Sequence, residues 1–325
     1  MTLRIGIAGT GGFAKLHADR LSRLEGVRVA AVLGSSKEKA DAMAAAFDDA
    51  RGYDSLSRLL DAERLDAFYI CVPPMAHGDI ERALIERGVP FLVEKPLGLD
   101  AALPKELLGL IEAKGLITSV GYHFRSKNNA ERLRSLLEGR TLGMATGGWM
   151  GGMPGVPWWR RKEGSGGQFV EQTTHLVDLL RYAAGEVDEV YAAYGNRAMH
   201  LKHENVSVPD VGAVVLKLRS GAVATISNTC LLPWDAGAVH LSFFTEEGRI
   251  DWTKDELAVV GGGGRSVYTD PVDPYGLETE AFLHAVRTGD VSRIRSDYAD
   301  AYRTQAVTHA ANVSAETGLP AKPAY

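Results

Sequence analysis

The sequence predicts an α/β protein in two domains. Residues 1–124 read as a doubly wound parallel sheet, and residues 125–296 as an α+β domain with a large, mainly antiparallel open sheet. Three observations carry the prediction. Apolar runs alternate with amphipathic helical segments through the first part. A glycine-rich turn lies between the first strand and the first helix. Past Arg125, strand patterns follow one another with hairpin signals between them. A chain of 325 residues is long enough for two substantial cores.

The early strands, at 3–8, 27–33, 67–72, 90–93 and 117–122, are apolar along most of their length, as in a parallel sheet covered on both faces. Phe13, Leu16, Leu21 and Leu24 keep one apolar face on the first helix; Ile80, Ala83 and Leu84 do so on a later helix ending at Gly88. Right-handed crossovers then give the doubly wound arrangement. After a helix around 129–137, strands are expected at 144–150, 190–194, 211–218, 222–229, 238–244 and 257–260. Ser220-Gly221 and Glu246-Glu247-Gly248 read as hairpin turns, and Gly261 to Gly264 as a flexible turn. One helix over 168–184 is expected to pack on this sheet. The last helix, 297–316, is expected to return and cover the first domain.

The composition is that of an ordinary globular chain, 45% hydrophobic and 24% charged. A formal net charge of -5 gives no support to nucleic-acid binding, which shows as a basic domain or stripe. Two cysteines, Cys71 and Cys230, are too few for a disulfide framework, and neither has metal-ligand spacing to a histidine, so no metal centre is expected. The N-terminus lacks the charged and apolar regions of a signal peptide, and no apolar stretch approaches the ~20 residues of a membrane span. A soluble, cytoplasmic protein is expected.

Between the first strand and helix lies Gly9-Thr10-Gly11-Gly12-Phe13-Ala14. Gly9 permits a tight turn, Gly11 lets backbone approach a diphosphate at the helix N-terminus, and Ala14 allows close helix–strand packing. A lone glycine triplet is weak, but strand, loop, helix and second strand stand in the order a dinucleotide site requires. The second strand runs into Gly34-Ser35-Ser36-Lys37 with no carboxylate before Glu38. An NAD site typically puts an acid there, whereas hydroxyls and a lysine suit a 2′-phosphate, so NADP is favoured over NAD. The alternative is that Ser36 caps the next helix and Lys37 faces solvent.

Glu94-Lys95-Pro96 ends the short apolar run 89–93. Charged residues at the carboxyl end of such a strand are poor core and sit where open α/β sheets bind ligands. Pro96 restricts the backbone of Lys95, whose ammonium can donate to a substrate oxygen. On the 168–184 helix, Glu171, His175, Asp178 and Tyr182 share a polar face, while Phe169, Thr173, Leu176 and Leu180 share another. A carboxylate one turn from a histidine can orient the imidazole. A solvated face is the commoner fate of such a stripe; the preceding glycines, 164, 166 and 167, argue for close approach of backbone or ligand instead.

The glycine loop with His17, Val72-Pro73-Pro74 followed by His77, Glu94-Lys95-Pro96, Gly121-Tyr122-His123-Phe124-Arg125 and the run from Gly166 to His175 together resemble the glucose-fructose oxidoreductase / inositol dehydrogenase / MocA family over essentially the whole chain. The resemblance implies a Rossmann domain, a C-terminal open-sheet domain, and NAD or NADP as hydride carrier. It also implies a homodimer or homotetramer paired through the C-terminal sheet. It makes Lys95 the lysine that contacts cofactor and substrate, and His175 the general acid/base. Glu171 falls where the family more often has aspartate, and Thr173 where it often has glycine. Gly9, Thr10, Gly11, Gly12, Phe13, Ser35, Ser36, Lys37, Val72, Pro73, Pro74, His77, Glu94 and Lys95 are then the cofactor set, with Lys95, His175 and Glu171 catalytic. Tyr122, Arg125, Trp158 and Trp159 are candidate substrate contacts. The two tryptophans, in Pro154-Gly155-Val156-Pro157-Trp158-Trp159-Arg160-Arg161-Lys162, suit sugar stacking or a subunit contact equally. The basic residues after them suit an acidic substrate or plain solvation.

The expected reaction is oxidation of a secondary alcohol on a sugar, cyclitol or polyol, or the reverse. Two alternatives stay open. A non-catalytic sensor of dinucleotide or sugar would not need Lys95, Glu171 and His175 together. A glycoside hydrolase using transient oxidation by tightly held NAD would release sugar without net reduction.

Overall fold

The computed structural model describes residues 2–325. The chain divides into two compact units. The first runs to Gly98 and adds Ala102–Gly121 and Tyr275–Ala299; the second comprises Leu99–Ala101, Tyr122–Pro274 and Asp300–Tyr325.

The first unit holds a six-stranded sheet of β1 (Leu3–Ala8), β2 (Val27–Leu33), β3 (Arg51–Tyr53), β4 (Ala67–Ile70), β5 (Phe91–Val93) and β6 (Thr118–Val120). Its order is β3-β2-β1-β4-β5-β6 and every pair is parallel. The order reverses between β1 and β4, which opens a crevice at their carboxyl ends, where Gly9 and Cys71 follow. Ile5 and Ile7 of β1, Val29 and Val32 of β2, Tyr69 of β4 and Leu92 of β5 share a core with Ala14, Ala18 and Leu21 of the helix Gly12–Ser22. The edge strand β3 escaped sequence reading: three residues with an exposed arginine give no alternation. The helix Pro274–Thr288 also escaped it, and places Phe282 and Leu283 in this core.

The second unit is built on β7 (Leu142–Met150), β8 (Val187–Gly195), β9 (Val211–Leu218), β10 (Val223–Thr229), β11 (Ala238–Thr245), β12 (Gly248–Thr253), β13 (Glu256–Gly261) and β14 (Gly264–Thr269). The order is β14-β13-β12-β11-β7-β10-β9-β8, with β7 and β10 the one parallel pair. The three turns read from sequence join β9 to β10, β11 to β12, and β13 to β14. β12 alternates inward Ile250 and Trp252 with polar residues, whereas β14 is exposed throughout and has no pattern to read. The helices Asn128–Leu137 and Thr174–Ala184 pack on one face through Leu133, Leu176 and Leu180.

The final helix, Tyr298–Thr317, departs from expectation. From Asp300 onward it belongs to the second unit, and Val307, Ala310 and Ala311 join the core of the large sheet. Its small residues permit a close approach, sealed by Ser314 Oγ accepting the Ala192 N–H at 3.0 Å. An apolar stripe predicts a buried face without naming the core it meets. Among the described residues, no helix is long and apolar enough to cross a membrane.

Candidate active site

Gly9 has φ +109°, and a Cβ there would lie 2.3 Å from the Cys71 carbonyl oxygen, so the turn after β1 admits only glycine. Gly11 is the N-cap of the next helix with extended backbone, and no protein atom lies within 4 Å of where its Cβ would be. The first turn carries no acidic side chain. Open space, unblocked backbone N–H groups and a helix N-terminus free of carboxylates fit a diphosphate. At the end of β2, Ser36 Oγ accepts the Lys39 N–H, Lys37 Nζ pairs with Asp41 at 2.5 Å, and Lys39 Nζ donates to Ser35 Oγ at 3.3 Å. Ser36 thus does cap the helix, and Lys37 is half exposed beside an acid.

His77, after the 3₁₀ turn Pro74–Ala76, is buried with Nδ1 2.6 Å from Glu81 Oε1, while Glu81 Oε2 accepts the Gly78 N–H at 2.7 Å. Burial opposes ionisation of Glu81, but His77 and the Gly78 N–H outweigh it and hold the carboxyl below its usual range. Within this pair, His77 Nε2 is buried without a protein hydrogen-bond partner. The Cys71 carbonyl abuts the Gly9 turn; burial, then Glu94 and Glu278, push its thiol well above the usual range.

Lys95 follows β5, and its peptide to Pro96 is cis. Glu94 beside it is buried and shares a 2.8 Å hydrogen bond with buried His17 Nε2, from the dinucleotide helix. A Cβ at Gly121 would sit 2.7 Å from Glu94 Oε2, so glycine there makes room for this pair. Glu94 therefore fixes the strand end that carries Lys95 from below. His17 was quoted in the sequence pattern without a role, and burial of a charged partner is what supplies one.

In the second unit, the 168–184 helix is interrupted: Gln168–Glu171 and Thr174–Ala184 are separate segments. His175 stands in the first turn of the longer one and is 4% exposed. Its imidazole is boxed by Tyr122, His123 and Phe124, with ring centroids at 5.9, 4.7 and 5.1 Å, and stacks on Trp149 of β7 at 5.9 Å. Such a box locks the ring orientation without a covalent constraint. Trp149 was not singled out from sequence, although it shares strand parity with core Ala145 and so faces the helix side.

The polar face of that helix is not solvated. Arg125 donates to both carboxylate oxygens of Asp178, each at 2.6 Å, and the two residues are 3% and 0% exposed. Arg125 also pairs with Asp300 and lies 4.9 Å from the Tyr182 ring centroid. Burial lifts the Asp178 carboxyl above its usual range while Arg125 pulls against it. The Tyr122 hydroxyl is bonded to Thr174 Oγ1 at 2.9 Å. Expected substrate contacts for Tyr122 and Arg125 therefore do not fit: their polar atoms are buried and engaged in seating the His175 helix.

The tryptophans are corrected in the same way. Trp159 is 1% exposed and packs with Met199, Val208 and Cys230, with half-buried Trp158 against them. Trp159, closed off in this small core, presents no face for a sugar to stack on. The Trp159 indole N–H donates to Glu171 Oε2 at 2.7 Å.

Residues 3–122 match a model described as an oxidoreductase family with an NAD-binding Rossmann fold, and residues 132–251 match the GFO/IDH/MocA C-terminal domain. The chain belongs to the Gfo/Idh/MocA oxidoreductase family. Inositol 2-dehydrogenase of Rhizobium meliloti (strain 1021) is 27% identical over 313 residues, covering 89% of this chain and 90% of that protein. D-xylose 1-dehydrogenase (NADP(+)) 2 of Haloferax volcanii is 27% identical over 328 residues and 97% of each chain. The solved structure of levoglucosan dehydrogenase in complex with NADH has a TM-score of 0.88 at 18% identity, covering 99% of each chain, which is a likeness of fold.

For a Gfo/Idh/MocA protein, glutamate at 171 is the departure noted in the sequence. Its carboxylate, at the end of the short segment ahead of the His175 helix, accepts from the Trp159 indole. The dinucleotide loop of this family member yields a paired test. Gly11→Ala leaves stability unchanged, since nothing in the protein meets the new methyl, but raises the NAD(P)H Kd at least tenfold in a fluorescence titration. Gly9→Ala loses both binding and several degrees of Tm, because its methyl meets the Cys71 carbonyl in a left-handed backbone. Equal, wild-type affinity in both variants would remove the loop from the cofactor site.

Proposed function

We propose that this oxidoreductase transfers a hydride between a nicotinamide dinucleotide and the secondary alcohol or ketone carbon of a sugar, cyclitol or related polyol. The observation that carries the reading is His175: a buried imidazole held by four aromatic rings on a helix anchored by an internal ion pair, within a family of NAD-binding oxidoreductases. NAD(P), when bound, supplies the hydride acceptor or donor. Gly9, Thr10, Gly11, Gly12 and Phe13 hold its diphosphate, and Val72, Pro73, Pro74 and His77 border it. His175 removes the hydroxyl proton during oxidation and returns it during reduction, which is worth about 10²–10⁴-fold in rate. Lys95 donates to the alcohol oxygen and stabilises its developing negative charge, with Glu94 and His17 keeping the lysine in place. Glu171 sets the start of the His175 helix through Trp159.

NADP is the preferred cofactor in this reading. No carboxylate stands at residues 34–37, and Lys37 and Lys39 lie at the start of the helix after β2. Asp41 competes for Lys37, so the preference is modest. The outer face of the large sheet exposes Tyr191, Val215 and Val223, which suits pairing of copies into a homodimer or homotetramer. Titration with NADPH and NADH, followed by a panel of polyols and ketoses and a light-scattering mass, tests all three parts. NADPH is expected to bind the more tightly; tighter NADH binding overturns the cofactor preference, failure to oxidise or reduce any member of the panel overturns the substrate class, and a monomeric mass overturns the pairing.

A further inference from the structure

The break ahead of the His175 helix is held to the large sheet by a pair of buried amides. Gln168 and Asn228 are 1% and 4% exposed, and Asn228 Nδ2 donates to Gln168 Oε1 at 2.8 Å. Gln168 Nε2 donates to the Thr229 carbonyl at 3.0 Å and to Gln172 Oε1 at 3.2 Å. The Gln168 carbonyl accepts the Gln172 and Thr173 N–H groups, both at 2.9 Å, and the Gln172 carbonyl accepts the His175 N–H at 3.2 Å. One residue therefore closes the short segment Gln168–Glu171 through its backbone and fastens it to β10 through its side chain.

Asn228 stands beside the stacking partner of the imidazole. On β10 it is the register partner of Trp149 on β7, so the amide and the indole lie side by side on the helix-covered face. Trp149 stacks on His175 with the ring planes 21° apart. The contacts close a circuit: His175 on Trp149, Trp149 beside Asn228, Asn228 to Gln168, and Gln168 through Gln172 back to His175. Ring and backbone of the histidine are thus set from one pair of strands.

Stability alone does not select this pair. Asn228 Oδ1 is buried with no hydrogen-bond partner among the described residues, and an orphaned buried acceptor is unfavourable where an apolar side chain could stand. Gly212, opposite Asn228 on β9, makes the space: a Cβ there would lie 2.5 Å from Asn228 Oδ1. A glycine inside a strand and an unsatisfied amide both depart from local preference, and they meet at one point.

We propose that Gln168 and Asn228 are positioning residues for the acid/base, setting the angle of the His175 imidazole without touching substrate. This rests on the hydride-transfer reading for what the imidazole does. Displacing a reacting group by about 1 Å costs about 10²-fold in rate, and the amide bridge keeps the first turn of the helix in register with Trp149.

The test compares full-length wild type with Gln168→Met, Asn228→Leu, their double variant and Gly212→Ala. Turnover is measured on the polyol and ketose panel, and NMR of the His175 imidazole protons gives a readout that needs no turnover. Gln168→Met and Asn228→Leu should each lower kcat about 10- to 100-fold, with KM and the NAD(P)H Kd within about twofold. The double variant should be no slower than either single, because the two act as one unit. It should also regain any Tm the singles lose, since an apolar pair leaves no amide orphaned. Gly212→Ala crowds Asn228 from a different strand and should give a smaller loss of the same kind. The His175 resonances, shifted by the Trp149 ring, should move in all four variants. Wild-type kcat in Gln168→Met or in the double variant overturns the proposal, as does a raised KM at unchanged kcat or an unmoved set of His175 resonances. If the wild type turns over no member of the panel while those resonances still move, the placement stands and the hydride-transfer reading fails.

Discussion

His175→Gln is expected to lower kcat by about 10²–10⁴-fold while NAD(P)H affinity and Tm stay near wild type. The substitution keeps a polar side chain of comparable length inside the ring of Tyr122, His123, Phe124 and Trp149, so the box is not emptied. It removes the proposed proton acceptor, while Asp178 stays bound to Arg125 and Glu171 to the Trp159 indole. Lys95→Met should produce a loss of similar size by a different route. It keeps the length of the side chain next to the Glu94–His17 pair but deletes the proposed donor to the substrate oxygen. The two losses should not add, since groups acting on one step are non-additive. Single-turnover absorbance of NAD(P)H measures both. Near-normal turnover in His175→Gln removes the histidine from the proposed chemistry.

The parallel sheet was legible because its signals are local. Short apolar runs, a glycine turn and an amphipathic helix each stand within ten or so residues, and they agree on one answer. What escaped is what local pattern does not encode. β3 is a three-residue edge strand, β14 is exposed on both faces, and the helix Pro274–Thr288 returns to the first core after some 150 residues in the second unit. The final helix shows the same limit: Val307, Ala310 and Ala311 form a clear stripe, but only the tertiary structure says that the stripe meets the large sheet.

The site divided along a similar line. Gly9 was read from the backbone need of its turn; Glu171, His175 and Asp178 were read as one helical face, which the break between Gln168–Glu171 and Thr174–Ala184 divides. Partnerships were not legible. Arg125 read as a substrate contact because an arginine beside an aromatic run resembles a binding residue; its bidentate acid lies 53 positions away. Trp159 read as a stacking surface because Pro and Gly surround it, yet Val206, Val208 and Cys230 supply a core for it from distant segments. Polar side chains declare their chemistry in a sequence, and their solvent exposure only in a fold.

Arg125→Met is expected to destabilise the protein by about 3–5 kcal/mol, more than Asp178→Leu does. The asymmetry follows from what each substitution leaves behind. Without Arg125, the Asp178 carboxylate is fully buried with the Thr304 hydroxyl, at 2.9 Å, as its remaining donor. Burial already lifts this carboxyl above its usual range with the guanidinium pulling against it, so removal of Arg125 favours its protonation. Without Asp178, Arg125 still has Asp300, which is partly exposed and therefore less costly to leave as the sole acid. The double variant Arg125→Met/Asp178→Leu should recover most of the lost stability, because apolar side chains of similar volume replace a buried ion pair at little cost. Turnover should not recover with it. Asp178 lies one turn beyond His175, and the bidentate geometry fixes the rotation of the helix in a way that a methionine and a leucine do not. Urea midpoints read the first expectation, and kcat set against KM reads the second. A stable double variant with wild-type kcat would make the pair structural only; one with wild-type KM and a kcat lowered tenfold or more makes Arg125 and Asp178 positioning residues for the imidazole.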